Sequence, residues 1–170
     1  MAAEERGFAC RAADRPGQGP LRRLEAAFPL RPAALSQEAQ ARPPAAAAGA
    51  RILIVDDNRI SQQVIRAMLA KGSWEAASAL SGQQALDMLA AGPYSLVLMD
   101  IQMPGMDGYE TARRLRGIPG CEHIPVVALT ADVSDEVRLR CRDAGMNGFL
   151  QKPVHLRHLL DAVQEWLYAA

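Results

Sequence analysis

No charge excess of either sign marks this chain. It carries 19 basic and 19 acidic side chains in 170 residues, for a formal net charge of zero. Charge alone therefore does not draw it to nucleic acid or to an anionic membrane. Cysteine is scarce: Cys10, Cys121 and Cys141 are odd in number, far apart, and form no C-x-x-C pair. Neither a disulfide framework nor a zinc knuckle is expected, and free thiols suit a reducing cytoplasm. No stretch approaches the ~20 apolar residues that span a bilayer, so membrane insertion is not expected. The N-terminus lacks a basic start followed by an apolar run, so a signal peptide is not expected either. The length suits one domain with a tail and is too short for two full enzyme domains.

What is present divides at about residue 50. Residues 1–50 hold 16 alanines and 6 of the 11 prolines, with seven arginines, no lysine and five acids. The stretch RPPAAAAGA (42–50) reads as a linker, two prolines followed by small residues with nothing to bury. LRRLEAAF (21–28) places Leu21, Leu24 and Phe28 at helical spacing. A helix so short is marginal alone, and most of the segment is expected to be a disordered tail or linker. Residues 51–168 form the predicted domain.

From Arg51 onward, apolar runs of strand type alternate with helical periodicity. Ile52, Leu53, Ile54 and Val55 are continuous, as in a strand buried on both faces. Ile60, Val64 and Met68, with Ile65 and Leu69, recur at helical spacing, and Gly72 is expected to end that helix. Residues 74–79 make a weaker strand, expected at an edge. A helix is expected over 81–91, buried strands at 96–99 and 126–129, a helix over 133–144 and a short strand at 148–150. Asp107 can cap a helix, with Glu110 three residues on. Leu156, Leu159, Leu160, Val163 and Leu167 line a last helix. Such alternation predicts an α/β fold with a parallel sheet and helices on both faces. Right-handed crossovers then bring the C-terminal ends of the strands to one edge, where ligands bind.

That edge collects unusual residues. Asp56 and Asp57 follow the first strand, Asp100 the next buried strand, Thr130 the third, and Lys152-Pro153 the short fifth. Each has an ordinary reading alone: a cap or turn for the acids and the threonine, a solvated surface residue for the lysine. Together they bring three carboxylates, a hydroxyl and an ammonium to one crevice. Clustered carboxylates repel, and hard oxygen donors suit magnesium. A divalent ion and a lysine can stabilise phosphoryl oxygens, and an aspartate so placed can attack phosphorus to give an acyl phosphate.

ILIVDDN (52–58), LVLMDIQMPGMDGYE (96–110), IPVVALTAD (124–132) and GMNGFLQKPV (145–154) resemble, in order and spacing, the receiver domain of two-component response regulators. The resemblance covers about 51–168 and none of the tail. It implies a flavodoxin-like doubly wound sheet of five parallel strands, order 2-1-3-4-5, with two helices on one face and three on the other. It implies that Asp100 is the phosphoacceptor. Asp56, Asp57, Asp100 and the backbone carbonyl of Gln102 would hold Mg2+. Lys152 would contact a phosphoryl oxygen, with the Lys152-Pro153 bond cis. Thr130 would be the switch hydroxyl, and Phe149 would stand at the switch aromatic position. Phe149 lacks a hydroxyl, so its movement would rest on packing. The implied donor is a histidine kinase or histidine phosphotransfer protein. The implied output is a protein partner met by the face of the fourth helix, fifth strand and fifth helix, with no direct nucleic-acid contact.

The chain ends at Ala170 with no DNA-binding domain after the last helix, so it is expected to be a free-standing receiver or the terminal receiver of a hybrid sensor kinase. The wording MDIQMPGMDG and GMNGFLQKPV resembles receivers of hybrid kinases, and 17–33 faintly resembles the closing strand of a kinase ATP-binding domain. Two other readings belong to different classes. A magnesium-dependent phosphatase with an aspartyl nucleophile would carry a second acid two residues on, where Gln102 stands, which argues against turnover. A phosphorylation-independent interaction module would not need the complete site. No enzymatic role beyond accepting a phosphoryl group is expected. Met99, Met103 and Met106 are expected in packing, and His155 and His158, whose spacing could hold a metal but which lack an obvious third ligand, at the surface or facing a partner. Arg138, Arg140 and Arg142 are expected on a solvated helix face.

Overall fold

The computed structural model describes residues 49–168; the expected tail and its LRRLEAAF segment lie outside the described residues. Five strands alternate with five helices in chain order: β1 (Arg51–Val55), α1 (Arg59–Lys71), β2 (Glu75–Ala79), α2 (Gly82–Ala91), β3 (Leu96–Asp100), α3 (Gly108–Leu115), β4 (Val126–Thr130), α4 (Asp135–Asp143), β5 (Gly148–Gln151) and α5 (Leu156–Tyr168). All pair in parallel, in the order β2-β1-β3-β4-β5. The weak strand β2 is an edge, as its mixed composition predicts.

Successive residues of a strand point to opposite faces, so a continuous apolar run feeds two cores. Leu53, Val55, Val97, Met99, Val126 and Ala128 turn to one face, where Leu86 and Leu89 of α2, Tyr109 and Leu115 of α3 and Cys141 of α4 cover them. Ile52, Ile54, Leu96, Leu98, Val127 and Leu129 turn to the other, under Ile65 and Leu69 of α1 and Leu159 and Val163 of α5. Three helices therefore lie on one face and two on the other. Met99 and Met103 are buried in the first core and Met106 packs against it.

Side chains cap the helices where the sequence supplies short polar groups. Asn58 accepts from the amides of Ile60 and Ser61 at the start of α1. Ser81 caps α2, Asp107 caps α3 through Glu110 N, and Ser134 caps α4. The helix expected from residue 133 thus begins at Asp135. Gly72 ends α1 as expected, at φ −90°, and the positive φ falls on the next residue, Ser73, at 63°. Gly72 is needed for another reason: a Cβ there would strike the Trp74 ring, which is buried in the second core.

Candidate functional site

Strand register builds the site. β1 and β3 are paired with Val55 opposite Met99, so the next residues, Asp56 and Asp100, leave the sheet side by side. Both are buried, Asp56 at 1% and Asp100 at 6% exposure, while Asp57 is exposed beside them. One carboxylate oxygen from each of Asp56, Asp57 and Asp100 lies within 4.8 Å of the others. A set of hard oxygens at this spacing fits a small divalent cation such as Mg2+.

Lys152 completes the cluster. β5 runs beside β4 with Gln151 opposite Thr130, and Lys152 N donates to Thr130 O at 2.7 Å. From there Lys152 Nζ donates to Asp100 Oδ2 at 2.7 Å and to Asp56 Oδ2 at 3.1 Å. Burial is the largest single influence on this ammonium and opposes its charge. The hydrogen bond to Asp100, then the charges of Asp100 and Asp56, together outweigh it, and the Lys152 pKa is raised. The Lys152-Pro153 peptide bond is cis.

Each buried carboxylate is oriented by further donors. Asp100 Oδ1 accepts from Gln102 N at 2.9 Å. Asp56 Oδ1 accepts from Asn58 N at 2.8 Å, and its Oδ2 from Ser61 Oγ at 2.7 Å. Gln62, buried on α1, donates from Nε2 to Asp56 O at 2.7 Å and to Ala79 O at 2.8 Å, tying the end of β1 to the end of β2. Sequence reasoning missed Ser61 and Gln62. Their signal was spacing: on a helix starting at Arg59, both lie in the first turn, back toward the carboxylates. Gly108 was missed as well. It opens α3 against the end of β3, where a Cβ would collide with the carbonyl of Asp100 and Cα of Ile101.

Thr130 and Phe149 leave adjacent strands on the same face. Phe149 is opposite Ala128, two residues before Thr130, and packs against the core beneath α2, α3 and α4. Thr130 is buried, and its hydroxyl donates to Asp132 O at 2.8 Å and accepts from Asp132 N at 3.1 Å. The threonine is thus held by the loop after β4 and leaves the capping of α4 to Ser134. The guanidinium of Arg138 on α4 lies over the Phe149 ring, 5.2 Å from its centroid. His155 and His158 are exposed at the start of α5 in an edge-on contact with centroids 5.7 Å apart. Among the described residues they belong to no cluster able to hold a metal.

A doubly wound sheet with paired acids after β1, an aspartate ending β3 and a lysine after β5 defines a class, and comparison with known proteins agrees. The chain belongs to the response regulator receiver domain family, which matches residues 52–164. It is 34% identical over 140 residues to probable histidine kinase 4 of Oryza sativa subsp. japonica, covering 70% of this chain and 14% of that protein. It is 35% identical over 117 residues to the sensory/regulatory protein RpfC of Xanthomonas campestris pv. campestris, covering 68% of this chain and 16% of that protein. The chain thus spans a small fraction of the length of these curated relatives. Among solved structures, it resembles the receiver domain of sensor histidine kinase PA1611 from Pseudomonas aeruginosa, with a magnesium ion coordinated in its active site cleft. That likeness has TM-score 0.66 and 36% identity over 71% of this chain and 98% of the other. It also resembles the receiver domain of Ssk1 from Saccharomyces cerevisiae, solved with the histidine phosphotransfer protein Ypd1, at TM-score 0.65 and 31% identity over 69% of this chain and 88% of the other. Among the described residues no helix is long and apolar enough to cross a membrane.

Proposed function

We propose that the domain, residues 51–168, accepts a phosphoryl group on Asp100 from a phosphohistidine of a histidine kinase or histidine phosphotransfer protein, in a cytoplasmic phosphorelay of the hybrid-kinase type. The observation that carries this reading is the contact of Lys152 Nζ with Asp100 Oδ2, inside a cluster whose other members are Asp56 and Asp57. In the transfer the bond from histidine nitrogen to phosphorus breaks and a bond from an Asp100 carboxylate oxygen to phosphorus forms. The imidazole nitrogen keeps the electron pair. Asp56, Asp57, Asp100 and the Gln102 carbonyl would hold Mg2+, which when bound offsets carboxylate repulsion and the charge on the phosphoryl oxygens. Lys152 places a second positive charge at the acceptor oxygen, where the phosphoryl group arrives.

The output follows from Thr130 and Phe149. A phosphoryl group on Asp100 offers the Thr130 hydroxyl a charged acceptor in place of Asp132 O. Moving the threonine opens space on the face from which Phe149 also projects. The surface of α4, β5 and α5 is then repacked, and it meets a downstream protein partner. Leu139 of α4 is 52% exposed and would offer such a partner an apolar side chain. Asp100 acts as a stoichiometric acceptor, with at most weak self-dephosphorylation.

Incubation with Mg2+ and acetyl phosphate followed by intact mass tests the reading. One added phosphoryl group is expected on the wild type, and none on Asp100→Asn or after chelation. Unchanged labelling of Asp100→Asn would remove the assignment. Steady phosphate release from small phosphomonoesters would point to a phosphatase instead.

A further inference from the structure

We propose that Arg138 is a positioning residue for the switch: stacked on Phe149, it holds the aromatic ring in its resting place and sets how readily the domain responds. The inference rests on the reading of Asp100 as acceptor and Phe149 as the aromatic that moves. A guanidinium over a ring face within about 6 Å of the centroid is an attractive pair, and here the separation is 5.2 Å. Other partners do little to fix Arg138. Its Nε is buried with no hydrogen-bond acceptor. Its Nη1 contact with Asp135 is long, at 3.7 Å, and the Asp135 side chain is fully exposed. A buried N–H without an acceptor is costly, so this placement is maintained by packing, and the ring is what the guanidinium packs on.

The register gives the contact its consequence. Thr130 and Phe149 project from the same face of neighbouring strands, and α4 lies over that face with Arg138 on the ring. Any movement of Phe149 toward the space left by Thr130 withdraws the ring from beneath the guanidinium. The cation–ring attraction therefore belongs to the resting state and is lost in the switched one. Removing the positive charge should enlarge the switched population by the factor that this attraction supplies, about twofold to fivefold.

The full chain carrying ring-13C phenylalanine reads this directly. Phe149 is its one phenylalanine within residues 49–168; the others are Phe8 and Phe28. Wild type, Arg138→Met (similar length, no charge), Arg138→Gln and Arg138→Lys (charge kept) are compared by NMR in Mg2+ alone and during titration with beryllofluoride, a phosphoryl stand-in. In the Met and Gln variants, the Phe149 signals in Mg2+ alone should move toward their beryllofluoride positions. The half-saturating beryllofluoride concentration should fall by about twofold to fivefold. Arg138→Lys should restore both toward wild type, which a purely steric role of Arg138 would not predict. Having both neutral variants keeps one folding defect from deciding the result. Phe149 signals and half-saturation equal to wild type in the folded neutral variants would overturn the proposal. Failure of the underlying reading looks different: wild-type Phe149 would not respond to Mg2+ with beryllofluoride, and acetyl phosphate would add no mass. That result would remove the proposal with it.

Discussion

Lys152 Nζ donates to Asp100 Oδ2 at 2.7 Å across 52 residues of chain. Without a divalent ion, this ammonium is the counter-charge that lets Asp56 and Asp100 lie buried side by side. Lys152→Met, which keeps the stem and deletes the charge, should leave the two acids facing each other. In chelator, chemical denaturation should show a loss of about 1–3 kcal/mol. Saturating Mg2+ should recover more stability in the variant than in the wild type, because binding to the folded state stabilises it by mass action. Phosphoryl transfer from acetyl phosphate should slow by about a hundredfold or more. An equal Mg2+ gain in both proteins would contradict this role for Lys152.

The raised pKa of Lys152 fixes the sign of a pH dependence. Its stabilising contribution is fully present below the unfolded value of 10.5 and is lost only as pH rises through the higher folded value. In chelator, the stability difference between wild type and Lys152→Met should therefore stay flat from about pH 7 to pH 9. It should shrink once the pH passes 10.5. Denaturation of both proteins across that range checks it, and a difference that already falls between pH 7 and 9 would be the wrong sign.

Much of this site is legible in the sequence because parallel strands impose few choices. Once 52–55 and 96–99 read as buried strands, the acids that follow them must share an edge, and register brings Asp56 against Asp100. What sequence could not give is the local use of side chains that suit several roles. Thr130 alone read as a cap for α4, but its hydroxyl bonds the Asp132 backbone and Ser134 caps the helix. Arg138 read as part of a solvated basic face, but in the structure it covers Phe149. Gly72 read as the end of a helix, which it is, but the Trp74 ring that leaves no room for a Cβ there was not legible. In each case the deciding neighbour comes from tertiary packing or from a turn that propensity does not specify.

The acidic pair should separate metal binding from folding. Asp56 is buried and accepts from Asn58 N, Ser61 Oγ and Lys152 Nζ, whereas Asp57 is exposed. Asp56→Ala strands those donors and should cost about 2 kcal/mol or more in chelator. Asp57→Ala should stay within about 0.5 kcal/mol of wild type, yet lose about tenfold or more in Mg2+ affinity by calorimetric titration. Equal destabilisation by both substitutions would show that burial does not divide their roles.

Gly108→Ala tests the close approach of α3 to the end of β3. A Cβ at this position meets backbone, the Asp100 carbonyl and Ile101 Cα, which cannot turn aside as a flexible side chain would. Although alanine favours helix, overpacking should make the variant less stable by about 1–3 kcal/mol. The displacement falls on Asp100 itself, so acetyl phosphate labelling of the folded fraction should also slow. A variant as stable as wild type that labels at the same rate would mean the two segments can separate without cost.

Arg116 offers a prediction far from Asp100 in role. Just past α3, its Nε and Nη2 donate to Gly145 O at 3.1 and 2.6 Å, and Nη2 also reaches Asn147 Oδ1 at 2.8 Å. Its Nη1 donates to Ile124 O at 2.7 Å and to Glu122 O at 3.1 Å. One planar fork thus ties the segment before β4 to the turn between α4 and β5, while Asn147 Oδ1 also accepts from Val126 N. Burial lowers the Arg116 pKa, consistent with a guanidinium drawn out of water and satisfied by carbonyls. Arg116→Ala should cost about 2–4 kcal/mol by chemical denaturation, since several part-buried carbonyls lose their donor together. Arg116→Lys should recover less than half of that, because one ammonium cannot span acceptors that the fork reaches at once. Labelling of the folded protein at Asp100 should be unchanged in both. Complete rescue by lysine would show that charge, rather than fork geometry, holds this corner.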